Sequence, residues 1–403
     1  MCVVDRLSFV SATISSIAVN DLILNPNVSI RSIVKDGQVV AYSVVTLIKG
    51  RGRLHHTLDI ATTSPEVIDV LESLVEPAAE HDVAIDLDAW SSLASLGVLI
   101  QEDEVSAPVR FGCHLHGYRQ LSGSTWTVNP NITVVAFADF VAGNTALAQV
   151  LQPCDAIALV ADPVTGARSP YWLEDRDRTL LSRCTRGTSP PSDLRQLDAS
   201  RFAHAGILIN AEVVAAAHKR VSVARERLAR DGYAELSQIL PPAQIEALRC
   251  YYRDLVDEGH VASCDSQVPL RSARHNEPVM QYYHRQLREF FSCIVGQQVK
   301  PSYAYFASYR RGAVLKKHVD REQCKFTASV LIDYVAAPSD DQVWPLSLEL
   351  PATGEQIDVH LTPGSAVLYR GCELPHYRHE LRGERSASFF LHYVDEAFAG
   401  RLD

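Results

Sequence analysis

The sequence predicts an α+β protein in two parts. A C-terminal double-stranded β-helix, or jelly roll, carries flanking helices, and a separate N-terminal α/β domain contains a winged-helix module. Three observations predict this. From about residue 297 the chain becomes a series of short strands, "VKPSYAYFASY", "FTASVLIDYV", "LSLEL", "QIDVHL", "SAVLYRG" and "SASFFLHYV", separated by Gly and Pro turns. Residues 186–200, "RGTSPPSDLRQLDAS", are rich in Pro, Ser and Asp and lack a sustained apolar period, as a linker would. The length of 403 residues suits two domains. The expected limits are 1–190 for the N-terminal domain, 191–215 for the linker and 216–403 for the jelly-roll domain.

The first elements are strands. "SIRSIVKDGQVVAYSVVTLIKG" has two β-branched runs around a Lys-Asp-Gly-Gln turn, which predicts a hairpin. "HHTLDIA" adds a third strand. "SPEVIDVLESLVEPAAEH" opens with a Ser cap and a Pro at the first helical position, and Val67, Val70, Leu71, Leu74 and Val75 share one face. "LDAWSSLASLGVLIQEDEV" reads as a helix ending at Gly97, then a short strand. This order over roughly 25–106 suggests a winged helix. It resembles the PqqD-like domains that recognise leader peptides in peptide-modifying pathways; a small α+β domain of unrelated purpose has the same pattern. "NITVVAFADFVAG", "NTALAQVLQPC" and "DAIALVAD" read as strand, helix, strand. After the linker, "AEVVAAAHKRVSVARERLARDGYAEL" is a long helix turning into a strand, and "LPPAQIEALRCYYRDLVDEG" is an amphipathic helix.

Composition narrows the function. The chain is 47% hydrophobic and 21% charged, ordinary for a globular protein with material for two cores. A formal net charge of −10 argues against a general nucleic-acid binder. No run of about 18 apolar residues predicts a membrane span. The N-terminus, "MCVVDRLSFVSATISSIAVNDLIL", lacks a basic cluster before its apolar part and reads as structure, without a signal peptide. Nine widely spaced cysteines with no C-x-x-C exclude a conventional zinc knuckle and suggest reduced thiols in a cytoplasmic protein.

The chemistry concentrates in two stretches. "KKHVDREQC" holds His318-Val319-Asp320, and "GCELPHYRHEL" holds His376 and His379. Two imidazoles and one carboxylate on one face of an octahedron bind Fe(II) and leave three positions for a chelating cosubstrate and O2. The short His-x-Asp spacing puts two ligands at one strand end, and a facing strand must supply the third. His376 is the preferred distal ligand over His379. His55-His56 and Cys113-x2-His116 complete no second ligand set, and His392 reads as a core histidine.

With these motifs, "GYAEL", "YAYFASYRRGAVLKKHVDR", "LTPGSAVLYRG" and "LPHYRHELRGERSASFF", residues 230–400 resemble the Fe(II)- and 2-oxoglutarate-dependent dioxygenases of the prolyl-hydroxylase-like branch. The resemblance implies that His318, Asp320 and His376 hold Fe(II). It implies that Arg385, nine residues after His376, forks onto the distal carboxylate of 2-oxoglutarate. Tyr309 is implied near the cosubstrate, with Thr327, Ser329 and Ser388 as hydrogen-bond partners. Arg271, Arg274 and His275 are candidates to meet an acidic substrate group, beside ordinary loop roles, and Trp344 to pack near the active-site mouth. The implied reaction yields succinate and CO2 from 2-oxoglutarate and O2 while an unactivated C–H bond is hydroxylated, desaturated or cyclised. A carboxylate at position 320 leaves no halide site, which disfavours halogenation.

The expected substrate is an amino-acid residue within a peptide of a natural-product pathway, with the leader peptide bound by the N-terminal domain. A free amino acid or small metabolite is the alternative, with the N-terminal domain then a lid or dimerisation element. A non-catalytic jelly-roll binding protein is a third reading. The oligomeric state, the site of oxidation and the role of residues 1–190 are open at this point.

Overall fold

The computed structural model describes residues 22–75, 87–106, 108–119, 121, 125–263, 267–338, 343–351 and 353–402. The expectations for the first 21 residues, for the last turn of the "SPEVIDV" helix, and for Cys2 and Cys264 lie outside the described residues. The chain divides into two compact units, residues 1–107 with 258–260, and residues 108–257 with 261–403.

In the first unit β1 (Leu22–Leu24) precedes a sheet of β2 (Ser29–Lys35), β3 (Gln38–Ile48) and β4 (Gly52–Asp59), antiparallel in that order. The predicted hairpin turn is there. Lys35 pairs with Gln38, and Asp36 and Gly37 both take positive φ, 52° and 80°. These are the dihedral signs of a two-residue turn whose twist matches the flanking strands. Helices α1 (Pro65–Val75) and α2 (Leu87–Ser95) follow, and β5 (Leu99–Gln101) returns to pair with β1. Tyr42 and Val44 of β3 share a core with Val67 and Leu71 of α1 and Leu93 of α2.

The second unit begins with β6 (Trp126–Val128), β7 (Ile132–Ala136), α3 (Phe137–Ala142), β8 (Ala156–Ala161) and β9 (Arg168–Leu173). Next come α4 (Asp175–Ser182), α5 (Gln196–His204), β10 (Leu208–Asn210) and the long α6 (Ala211–Asp231). β7, β8 and β9 form one antiparallel sheet, and β10 pairs with β6. Two expectations are corrected here. "FADFVAG" is helical: Phe137 and Phe140, three residues apart, both reach the core. "NTALAQVLQPC" contributes only one 3-10 turn, Thr145–Leu147.

The expected linker is also corrected. The structural break falls at residue 107, and residues 186–215 are built into the second unit. Val128 and residues 187–188 exchange backbone hydrogen bonds at 2.9 and 2.8 Å, and Arg183 forks onto Asp193 with both contacts at 2.6 Å. The segment then enters α5, where Phe202 is wholly buried. Its polar composition concealed this because backbone turns and ion pairs, rather than apolar periodicity, hold it. Phe111, Trp172, Phe202 and Leu208 belong to the same core as the residues behind the jelly roll.

The jelly roll is approached through β11 (Tyr233–Leu236), α7 (Pro242–Asp257), β12 (Ala262–Ser263), β13 (Arg271–His275), α8 (Pro278–Gln286) and α9 (Arg288–Val295). Its eight strands are β14 (Val299–Arg310), β15 (Leu315–His318), β16 (Phe326–Val335), β17 (Leu346–Glu349), β18 (Gln356–Val359), β19 (Ala366–Tyr369), β20 (His376–Arg378) and β21 (Arg385–Asp395). One sheet runs β11-β19-β16-β21-β14-β13-β12 and the other β15-β20-β17-β18, all antiparallel. Successive strands cross between the sheets, except at the β17–β18 hairpin, which is the jelly-roll path.

Period-two alternation sorts the large sheet into two faces. Along β21, Ala387, Phe389, Leu391 and Tyr393 join the core formed with α7, α8 and α9. The Tyr252 ring of α7 lies tilted 4.3 Å from the Phe306 ring and edge-on 4.9 Å from the Phe389 ring. Burial of such a ring contributes about 1.5–3 kcal/mol. Glu277, fully buried at the start of α8, accepts from the hydroxyls of Tyr251 (2.9 Å) and Tyr252 and from Met280 N (3.0 Å), so this buried acid is satisfied. The other face of β21, Ser386, Ser388, Phe390 and His392, looks into the barrel.

Candidate metal centre

His318 ends β15 and pairs across the small sheet with His376, the first residue of β20. Their rings lie 4.3 Å apart. Each ring is oriented through its Nδ1–H: His318 donates to Lys316 O at 2.8 Å and His376 to Leu374 O at 3.0 Å. That leaves both Nε2 lone pairs free to point at a cation. Asp320 Oδ1 sits 3.8 Å from His318 Nε2 and 3.5 Å from His376 Nε2. One ligand atom from each residue lies within 4.8 Å of the other two. The third residue comes from the neighbouring strand of the same sheet, where the sequence reading expects a facing strand.

Electrostatics keep these groups ready for a metal. Burial, then the charge of His376, pushes His318 below the ordinary histidine value. Burial acts to raise the Asp320 carboxyl, but the polar groups around it, His376, His392 and the Thr327 hydroxyl, outweigh it and hold the group below the ordinary carboxylate range. Asp320's other oxygen, Oδ2, accepts from Thr327 Oγ1 at 2.9 Å, and Thr327 lies 3.0 Å from His392 Nδ1. A second set, Asp320, Cys324 and His392, also meets metal-ligand spacing. Burial and the Asp320 charge push the Cys324 thiol up to about 12.

A cavity of about 390 Å³ opens on the three residues, walled by Arg271, His275, Tyr303, Tyr305, Arg321 and Phe390. The Arg321 guanidinium lies 4.7 Å over the Tyr303 ring, and His275 stacks on the same ring at 5.5 Å. Deeper in the barrel stands Arg378. It follows His376 by two residues on β20, so both side chains share the inward face. It is 3% exposed. Its guanidinium lies 4.8 Å over the Trp344 ring and gives one hydrogen bond, to Trp344 O at 2.7 Å. Its Nε has no hydrogen-bond partner, and no carboxylate among the described residues pairs with it. Burial pushes the guanidinium below the ordinary arginine value, with the Tyr309 and Tyr369 hydroxyls opposing.

The remaining expected residues divide by strand parity. Tyr309, Thr327, Ser329 and Ser388 face the barrel, and Ser329 Oγ is buried without a partner. Thr327 meets Asp320, a contact alternation alone did not predict. Arg271 and His275 pair with the inward Tyr309 and Tyr305 and line the cavity. Arg274, between them, pairs with the outward Phe306, so it faces away from the cavity. Trp344 does not stand at the mouth: it is 5% exposed, donates to His379 O at 2.7 Å and covers Arg378 at the deep end. His379 itself is exposed.

Arg385 is the largest correction. An odd-numbered position of β21, it lies on the face turned to α7 and donates to Asp257 Oδ1 at 2.8 Å. It borders a separate outer pocket with Arg310, Arg311 and Glu384. Sequence reasoning did not name Arg378, and it read His392 as a core histidine, which it is, without its contact to Thr327. Both were findable, since each lies an even number of residues from an inward neighbour on its own strand. Among the described residues, His55, His56, Cys113 and His116 form no three-ligand cluster.

No family model and no curated protein matches the chain. Among solved structures, it is similar to a Pseudomonas putida prolyl-4-hydroxylase at 20% identity and a TM-score of 0.37, covering 44% of this chain and 100% of that one. It is similar to a Trichoplax adhaerens prolyl hydroxylase in complex with a hypoxia inducible factor peptide fragment at 13% identity and 0.40, covering 47% and 94%. It is also similar to HygX from Streptomyces hygroscopicus with nickel, 2-oxoglutarate and hygromycin B bound, at 12% and 0.36, covering 45% and 88%.

Proposed function

We propose that this chain is an Fe(II)- and 2-oxoglutarate-dependent oxygenase whose metal is held by His318, Asp320 and His376. The observation that supports it most is the pairing of two features in one barrel. Two oriented Nε2 atoms and a carboxylate oxygen converge, and a buried guanidinium without a counter-ion stands two residues deeper on the same strand face. A buried, unpaired cation costs several kcal/mol, so the position suits a site completed by an anion. Arg378 then takes the role that the resemblance implied for Arg385, binding the distal carboxylate of 2-oxoglutarate. Ser329 Oγ supplies a further hydrogen-bonding group in the barrel wall. Iron and 2-oxoglutarate, when bound, supply the oxidation: O2 converts the cosubstrate to succinate and CO2, and one oxygen atom goes to a C–H bond of the substrate.

The chain's own residues bind, orient and exclude water. Aromatic and aliphatic side chains close the deep end, and Arg271, His275 and Arg321 make the outer wall basic and suited to an acidic group near the target residue. The substrate is an amino-acid residue in a peptide of a natural-product pathway. The first unit supports that reading: β2 is an edge strand of its sheet among the described residues, with Ile33 39% and Val34 59% exposed, where an extended leader peptide can add as a strand.

Anaerobic addition of Fe(II) and 2-oxoglutarate should give the weak visible charge-transfer band of a chelated complex, and His318→Ala should abolish it. No band, and no succinate with any peptide, would overturn the proposal. For recruitment, Ile33→Glu with Val34→Glu in the full chain should raise KM for a full-length peptide and leave a short fragment unaffected.

A further inference from the structure

The two oxygens of Asp320 have different surroundings: Oδ1 lies toward the Nε2 atoms of His318 and His376, and Oδ2 meets Thr327. Thr327 has one hydroxyl proton and two close polar neighbours, Asp320 Oδ2 at 2.9 Å and His392 Nδ1 at 3.0 Å. A carboxylate can only accept, so the hydroxyl donates to Oδ2. His392 must then donate its Nδ1–H to Thr327 Oγ1. The one competing acceptor for the hydroxyl, Cys324 O, is farther at 3.4 Å. The two donors are enclosed: Thr327 is 0% exposed and His392 is 6% exposed. Gly371 backs the same oxygen. A Cβ there would stand 2.5 Å from Oδ2 and 2.8 Å from Thr327 Oγ1, so backbone fills the remaining space.

We propose that the chain His392 Nδ1–H to Thr327 Oγ1–H to Asp320 Oδ2 keeps Asp320 a one-oxygen ligand and so preserves the third open position on the metal. Thr327 and His392 are positioning residues in this account. Two imidazoles and a single carboxylate oxygen leave three of six octahedral positions open. A carboxylate free to bind through both oxygens would take a fourth, leaving two, enough for a chelating 2-oxoacid and none for O2. Partners that orient a metal ligand in this way typically contribute about 10- to 100-fold to affinity or activity. The inference rests on the proposed oxygenase site and adds to it what holds one ligand in place.

The test uses the full chain, Co2+ as a spectroscopic probe and 2-oxoglutarate. Thr327→Val should change the Co2+ visible spectrum and weaken 2-oxoglutarate binding to the Co2+-loaded protein by about tenfold. Thr327→Ser, which keeps the hydroxyl, should match the parent in both. His392→Gln, which keeps a donor, and His392→Leu, which removes it, test the chain from its other end if the valine variant does not fold. A spectrum and affinity unchanged in Thr327→Val and His392→Leu overturn the positioning role while the oxygenase reading stands. Failure of the unmodified protein to take up Co2+ at all sinks both.

Discussion

Arg378 and Arg385 lie seven residues apart on neighbouring strands of the chain, and their surroundings differ in every respect that matters. Arg378 is inside the barrel, 3% exposed, and among the described residues it has one hydrogen bond, an aromatic face and no carboxylate. Arg385 is outside, its side chain 26% exposed, paired with Asp257 beside a pocket lined by residues of mixed charge. An exposed arginine with a partner is already satisfied and has little left to offer a ligand. A buried arginine without one carries an uncompensated desolvation cost that a ligand anion removes. The same contrast holds for the two ends of the barrel. At the metal end polar side chains turn inward and meet each other; at the other end Arg253 and Asp333 form their ion pair on the outer face, with contacts of 2.7 Å.

The sharpest way to break this contrast is Arg378→Met, which keeps length and removes charge. Losing one partner of a buried charged pair costs about 2–5 kcal/mol, on the order of 30-fold to a few thousandfold in affinity. Titration of 2-oxoglutarate into the Fe(II)-loaded protein under anaerobic conditions should show a loss of that size. The same variant should be no less stable without cosubstrate, and more stable by about 1 kcal/mol or more, because an unpaired buried cation is replaced by an apolar side chain. Denaturant unfolding measures the second effect. Retained affinity, or a marked loss of stability, would show that Arg378 is a structural residue.

How much of this was legible follows from what a strand's alternation can and cannot carry. The grouping of His318, Asp320 and His376, proposed here as the metal site, was readable because His-x-Asp and a distal His need only a strand end and one other strand, which proved to be the neighbour β20. The inward direction of Thr327 and Ser329 was readable from period two within one strand. The assignment of Arg385 failed because it counted nine residues from His376 across the loop between β20 and β21. Parity does not survive a loop, and it is reset again where β16 slips register against β21 between Leu331 and Asp333. Arg274 failed for a different reason: it was grouped with Arg271 and His275 by proximity in sequence, although alternation within β13 turns it to the opposite face. Trp344 was misplaced because a loop gives no face at all. The domain boundary was misread because residues 186–200 are held by ion pairs and backbone turns, which leave no apolar period.

A smaller effect separates the two ends through their glycines. An alanine Cβ at Gly371 would stand 2.4 Å from the carbonyl oxygen of Cys324 and 2.5 Å from Asp320 Oδ2. Backbone cannot step aside cheaply, so Gly371→Ala should lower metal affinity by about tenfold and stability by roughly 1–3 kcal/mol. At Gly383, near the other end, the nearest atom would be the Tyr334 hydroxyl at 2.7 Å, the tip of a side chain that can rotate. Gly383→Ala should cost some stability and leave metal affinity unchanged. Isothermal titration with Ni2+ against both variants reads the difference; equal losses of affinity would mean that the metal end is not specially constrained.

The smallest effect is expected at the arginine that the resemblance assigned to the cosubstrate carboxylate. Arg385→Gln removes a partly exposed ion pair whose acceptor, Asp257, has a side chain 56% exposed. Such pairs contribute about 0–1 kcal/mol, and salt weakens them further. The KM for 2-oxoglutarate should stay within about twofold of the parent, and denaturant unfolding should shift by no more than that small amount. A loss of cosubstrate affinity as large as that of Arg378→Met would require Arg385 to leave Asp257 and reach through the sheet past Ser386. Strand β21 would then have to slip by one residue against β14 and β16. That slip would turn His392 out of the barrel and break its contact with Thr327, so the same variant series would report it as a changed Co2+ spectrum.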